Sequence, residues 1–193
     1  MKRIIPLSLL SLSFALVACA PGARQVDQSL LDNPLFALWY YEQIQQNMMS
    51  LQIQNSPLLQ DAAKKSAIEQ ALRDATRKVQ DVEERHRKGL LGNFVLGDQI
   101  VQGQALLLDG KLHLSPDFSI MPGPSVHIYL SPSLDPRVGE LPGKDSIDLG
   151  VLRNPYGTDT YDLQGKDTTG MRSVVIYDTS IGSLYGFAQL QTQ

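Results

Sequence analysis

The side chains of this sequence that are able to do chemistry are few and widely spaced. It holds one cysteine, Cys19, and three histidines, His86, His113 and His127. No two of these histidines have the spacing of a metal-binding motif. The sequence also lacks the Gly-x-Ser-x-Gly turn of serine hydrolases and the glycine-rich loops that bind phosphates. These features favour a non-enzymatic protein and leave an enzyme as the alternative.

The position of Cys19 predicts where the protein resides. Lys2 and Arg3 precede an apolar run over residues 4–17, which is the pattern of a secretory signal peptide over residues 1–18. The letters Leu-Val-Ala-Cys at its end resemble the lipobox of bacterial lipoproteins. That resemblance implies cleavage between Ala18 and Cys19, acylation of Cys19, and a lipid-anchored protein of the cell envelope. Ala20 implies the outer membrane, where the organism has one.

The acyl chains provide a membrane partner, because two or more chains anchor a protein stably where one alone is marginal. The alternative is a secreted protein with a free thiol.

Loss of Lys2 and Arg3 with the leader would change the net charge from −3 to −5. From Gly89 onward there are six Lys and Arg residues against eleven Asp and Glu residues. An acidic domain without a basic stripe argues against nucleic-acid binding.

Three regions are predicted after the leader, and together they make an α+β protein. The lipidated N-terminus and a tether occupy residues 19–33, a helical hairpin residues 34–88, and a β-domain residues 89–193. Asn33 and Pro34 form an N-cap followed by proline at the first helical position. Ser56 is expected to cap the second helix, which ends near Gly89, and His86 to be a solvated residue of its last turn.

The second helix carries an apolar seam at steps of three and four residues. Its members are Ile68, Leu72, Ala75, Val79 and Val82. The seam either closes the hairpin within one chain or mediates self-association or binding of a protein partner, and its pattern fits each of these. Trp39, Tyr40 and Tyr41 are expected to pack within the hairpin or against the β-domain, with the membrane interface as the alternative.

The region after residue 89 has the pattern of an antiparallel β-sandwich-like domain. Asp109 and Gly110 separate two apolar runs, which is a strong hairpin signal. Further strands are predicted at the segments SVHIYLS, SIDLGVL, DTYDL, SVVIYD and YGFAQLQ. Short strands at this spacing are typical of sandwiches and barrels.

Four segments of this region resemble the DM-thirteen domain family. They are GPSVHIYLS (123–131), IDLGVL (147–152), GTDTYDL (157–163) and SVVIYDTSIGSLYGFAQL (173–190). The resemblance covers residues 89–190 in order and implies a β-sandwich-like fold. It also implies a part in electron transfer or redox reactions, which in the family has been connected with a cysteine near the last strands.

This chain departs from the family pattern where that cysteine would follow the segment VVIY, because Asp178 stands there. A thiol redox cycle needs a thiolate, which neither a carboxylate nor an acylated sulfur supplies. We therefore expect a binding or scaffolding β-domain without a cofactor. The alternative is a redox or electron-transfer module that has lost the family cysteine and binds a metal or haem. Its candidate ligand-binding residues are His127, which matches a family position, His113 and Asp178.

Overall fold

The computed structural model describes residues 26–193. Helices occupy the first part of this range and β-strands the second, which confirms the predicted α+β class. The signal peptide, the cleavage site at Ala18 and Cys19, and residues 19–25 of the predicted tether lie outside the described residues. Within residues 26–193, none of the helices combines the length and the apolar character that crossing a bilayer requires.

The helices are α1 (Gln28–Leu31), α2 (Pro34–Ile53) and α3 (Ala62–His86), with a 3₁₀ turn at Pro57–Gln60. Asn33 caps α2 as predicted, since its Oδ1 accepts hydrogen bonds from the backbone N–H groups of Leu35 and Phe36. The expected cap of the second helix was wrong. Ser56 caps the 3₁₀ turn, and the Asp61 carboxylate caps α3.

The two long helices form an antiparallel hairpin. Gln45 in the middle of α2 donates to Thr76 in the middle of α3. The Pro34 carbonyl at the start of α2 is near enough to His86, at the end of α3, to favour the protonated form of its ring. The predicted seam of α3 faces α2. Its members Ile68, Ala75, Val79 and Val82 are buried, whereas Leu72 is half-buried.

The eleven strands of the described residues follow the hairpin. They are β1 (Leu90–Leu96), β2 (Val101–Gln102), β3 (Gln104–Leu108), β4 (Lys111–Leu114), β5 (Ser119–Ile120), β6 (Val126–Ser131), β7 (Ile147–Val151), β8 (Asp159–Asp162), β9 (Ser173–Asp178), β10 (Ser183–Gln189) and β11 (Gln191–Thr192). All the predicted strands are present. The hairpin between β3 and β4 turns at Asp109 and Gly110, which both have positive φ, as a tight turn of this kind requires.

The main sheet is antiparallel, with the strand order β7-β6-β9-β10-β1-β3-β4-β8, and β11 pairs with the start of β1. Strand β1 joins its two halves, because Leu90 to Asn93 pair with β3 whereas Phe94 to Leu96 pair with β10. This change of partner makes the sheet fold over on itself in a sandwich-like manner. Strands β2 and β5 form a separate ribbon.

The main hydrophobic core lies between the two halves of the sheet. It contains Val126 and Ile128 from β6, near one end of the strand order, and Leu112 and Leu114 from β4, near the other. The end strands β7 and β8 are joined by the loop 152–158. In that loop the Arg153 guanidinium lies 4.3 Å from the centre of the Tyr161 ring and pairs with Asp159. Both partners belong to β8, so these contacts hold the loop that follows β7 against β8, and the sheet is nearly closed.

A smaller apolar contact joins the helical hairpin to the outer face of the sheet. Leu35 of α2 packs against Leu106 and Leu108 of β3, with Leu91 of β1 beside them. The alternate residues of β3 point into the main core, so both faces of this strand are buried. The hairpin therefore rests on the β-domain through the start of α2 and the end of α3.

The buried seam of α3 predicts how the hairpin responds to a charge. Substitution Val79→Asp places a carboxylate at a position that is 9% exposed, and it should lower the free energy of unfolding by about 3 kcal/mol. Urea denaturation followed by circular dichroism measures this. The control Gln80→Asp introduces the same charge at the neighbouring exposed position and should change stability by less than about 0.5 kcal/mol. Equal effects of the two substitutions would refute the packing of α3 on α2.

Candidate functional site

Asp178, which stands where the sequence resemblance implies a cysteine, ends strand β9 and is fully buried. Its Oδ1 accepts hydrogen bonds from the Ser180 backbone N–H at 2.9 Å and from the Ser180 hydroxyl at 3.1 Å. Its Oδ2 accepts a hydrogen bond from the backbone N–H of Ser125 at 3.2 Å. The carboxylate therefore holds the turn after β9 to the loop that precedes β6.

These donors decide the charge of Asp178. Burial raises the pKa of the carboxyl, but the N–H and O–H groups of Ser125, Ser180 and Ile181 outweigh it, so that the pKa lies below its usual value. The phenol of Tyr185 is close by, and its pKa is raised by burial and by the charge of Asp178. Asp178 is thus an anion at neutral pH.

The chain passes unusually close to this carboxylate at Gly123. A methyl group there would lie 2.3 Å from the Tyr185 hydroxyl oxygen and 2.4 Å from Asp178 Oδ2, so only glycine fits. Asp178 is enclosed by backbone and Tyr185, with Oδ1 accepting from Ser180 and Ile181 and Oδ2 accepting from Ser125. The arrangement is suited to holding two loops together, and it contains no thiolate.

His127 lies on strand β6, on the face of the sheet opposite the main core, and its side chain is 20% exposed. Its Nδ1 is 3.1 Å from Asp148 Oδ2 on β7, and its ring is stacked on Tyr129 with centroids 5.9 Å apart. The carboxylate orients the ring and leaves one ring nitrogen for another partner. A histidine held in this way by a carboxylate resembles a metal ligand with its outer-shell partner.

His113 lies on strand β4, on the face covered by the helical hairpin, and is buried. Its Nδ1 is 3.0 Å from the hydroxyl oxygen of Thr160, which also accepts a hydrogen bond from Asn33 Nδ2. Burial, together with the positive charges of Lys111 and Arg85, lowers the pKa of His113 to about 4. The imidazole is therefore neutral and part of the junction between hairpin and sheet.

The structure does not bring His113, His127 and Asp178 together. His113 is in the half of the sheet formed by β1, β3, β4 and β8, whereas His127 and Asp178 are on β6 and β9 in the other half. In the described part of the chain, no three His, Cys, Asp or Glu side chains are grouped so as to hold a metal ion. His113 is therefore separated from the other two candidate residues, and His127 is the one whose ring a carboxylate orients.

Two polar residues at the junction of the hairpin and the sheet were not identified from the sequence as buried. His86 was expected to be solvated, but that was wrong: it is 4% exposed, and burial lowers its pKa. His86 lies four residues after Val82 and so continues the spacing of the apolar seam, and this spacing was the sequence signal that it is buried. Asn33, expected only as a cap, is 2% exposed and donates to the carbonyls of Leu114 and Asp159.

A comparison with family models matches residues 93–190 to the family described as Electron transfer DM13. This is the family that the four sequence segments resemble, and the match covers just over half of the chain. It includes strands β2 to β10 and most of β1, but none of the helical hairpin. Comparisons of the chain with curated proteins and with solved structures give no significant match.

The hydrogen bonds of Asp178 predict the effect of replacing it. The amide of Asp178→Asn keeps one acceptor oxygen but faces the remaining N–H donors with an NH₂ group, so stability at neutral pH should fall by about 2 kcal/mol. Chemical denaturation of this variant and of the control Asp145→Asn, at an exposed position, measures the difference. An equal, small effect of both would show that the carboxylate does not hold the loops.

The lowered pKa of His113 predicts a loss of stability in mild acid. The unfolded chain takes up a proton near pH 6.5 and the folded protein only near pH 4. The free energy of unfolding should therefore decrease by about 3 kcal/mol in total as the pH is lowered from 6.5 to about 4. Urea denaturation at several pH values tests this against His113→Gln, whose pH dependence should be weaker. The same slope in both proteins would contradict the burial of a neutral His113.

Proposed function

Because the chain belongs to the DM13 family, whose description names electron transfer, we propose that it is a member that works without a thiol. In this proposal a lipid anchors the protein to the cell envelope, and its β-domain has a non-catalytic binding or scaffolding role. The observation that carries this proposal is the environment of Asp178. Where the family cysteine is expected, a buried carboxylate accepts three hydrogen bonds of 3.2 Å or shorter. A carboxylate cannot cycle between thiolate and disulfide.

The rest of the chain offers no replacement thiol. Cys19 is the single cysteine of the sequence and precedes the β-domain by some seventy residues. The lipobox-like letters before it support acylation, which would remove the thiolate from redox chemistry. The sulfur then serves as the anchor, and the β-domain has a different task.

The helical hairpin supports a scaffolding role. Helix α2 has one charged residue, Glu42, in twenty positions, whereas charges are frequent along α3. Trp39, Met49 and Ile53 of α2 are 45%, 40% and 83% exposed. Large apolar side chains exposed along a helix are typical of surfaces that contact a partner.

The proposal is tested on the protein purified from membranes in mild detergent. Intact mass should show acyl chains on Cys19, and a thiol reagent should label no sulfur even after denaturation. Protein-film voltammetry should show no reversible signal. The variant Cys19→Ser should leave the membrane fraction while keeping the circular dichroism spectrum of the β-domain. An unmodified Cys19 that is oxidised and reduced reversibly would overturn the proposal.

The description of the family favours electron transfer as a second candidate function. His127, oriented by Asp148, is the described residue that best resembles one ligand of a metal or haem, although its surroundings do not complete a site. Absorption spectra and elemental analysis of the same membrane preparation separate the two candidates. A stoichiometric metal or haem that is lost in His127→Ala and kept in His113→Gln would establish the second candidate in place of the first.

A further inference from the structure

A cleft of about 660 Å³ separates the helical hairpin from the β-domain. Leu35, Trp39 and Glu42 of α2 form one wall, and Asn93, Gln104 and Asp117 lie on the side of the β-domain. The volume is within the range of sites that bind small molecules, which extends from about 300 to 1,000 Å³. Its location at the junction of two substructures is also typical of such sites.

The lining of the cleft is negatively charged. It includes the carboxylates of Glu42 and Asp117 and no Lys or Arg. Asp117 Oδ1 accepts a hydrogen bond from the Ser115 hydroxyl at 2.5 Å, which fixes this carboxylate and leaves its Oδ2 for another donor. The histidine in the lining, His86, has its pKa lowered by burial and so adds no positive charge at neutral pH.

The cleft also has an aromatic surface, and one of its lining residues carries a buried nitrogen without a hydrogen-bond partner. Trp39 is 45% exposed, and a tryptophan face attracts a cation placed over it. Nε2 of His86 is buried and has no hydrogen-bond partner among residues 26–193, which is uncommon for a buried polar atom. Gln104 Nε2 donates to Asn93 Oδ1 at 2.9 Å, and this bond holds both amides in place.

We propose that this cleft binds a small organic cation, an ammonium group carried on an apolar body. Glu42 and Asp117 attract the positive charge, Trp39 receives the cation or its apolar body on its indole face, and the leucine side chains of the wall contact the remainder. The inference names a ligand class for the binding role proposed above and rests on it.

Phenethylamine is the probe, and 2-phenylethanol is its neutral counterpart of nearly the same shape. Trp39 is the single tryptophan of the chain, so its fluorescence reports on the cleft alone. Titration of the full-length protein should change this fluorescence with phenethylamine, at an affinity at least about tenfold higher than with the alcohol. Added salt should weaken the binding of the amine and leave that of the alcohol unchanged.

Substitutions assign the binding to the cleft. Glu42→Gln and Asp117→Asn should each weaken phenethylamine binding by about threefold or more, whereas Glu69→Gln, on the distant part of α3, should not. Thermal unfolding of each variant verifies that the fold is retained. Equal affinities for the amine and the alcohol, no binding of either, or an equal effect of all three substitutions would overturn the inference.

These outcomes are independent of the test of the proposed function. A cleft that binds no cation leaves the acylation of Cys19 and the absence of thiol chemistry as they were. Conversely, a redox-active Cys19 would overturn the proposed function even if phenethylamine bound.

Discussion

The side chain of Asn33 makes the contact on which the arrangement of the two parts of the molecule depends. Its oxygen caps α2, while the two N–H groups of its nitrogen are shared among the carbonyls of Leu114 and Asp159 and the Thr160 hydroxyl. One buried amide thus starts the hairpin and attaches it to strands β4 and β8. A buried polar group with all its partners in place permits a single geometry, since displacement would leave several groups unsatisfied.

The same junction explains the neutral histidines and the cleft. The Thr160 hydroxyl that meets Asn33 also meets His113, and both His113 and His86 are buried where the hairpin covers the sheet. Leu35 fills part of this contact, but the helices do not cover the whole outer face. The space that remains beside Trp39 and Asp117 is the cleft.

In the other half of the sheet, a buried carboxylate holds two loops together. Asp178 occupies the place where the resemblance implies a cysteine, and it is held by the backbone of the neighbouring loops. A buried carboxylate is stable only when donors surround it. The loops that follow Gly123 and Asp178 supply those donors, so the position has become part of the framework.

Local patterns determined much of this protein before any contact was known. Steps of three and four residues indicated the seam of α3, Asn33 and Pro34 indicated the start of α2, and Asp109 and Gly110 indicated the turn between β3 and β4. Strand β1 was not predicted, because it changes its partner near Asn93 and so lacks a continuous alternation of buried and exposed residues. Alternation is a signal only where a strand keeps one face to one core.

For the candidate site as well, some features were evident from the sequence and others only from the tertiary structure. The sequence alone indicated the single thiol, the lipobox-like leader, the acidic β-domain and an aspartate where the resemblance implies a cysteine, since each is a matter of residue type and position. Only the tertiary structure decided that Asp178 is enclosed by donors, that His113 and His127 lie in different halves of the sheet, and that His86 is buried beside a cleft. Burial and the approach of distant residues depend on how the elements pack, and residue order along the chain does not specify that packing.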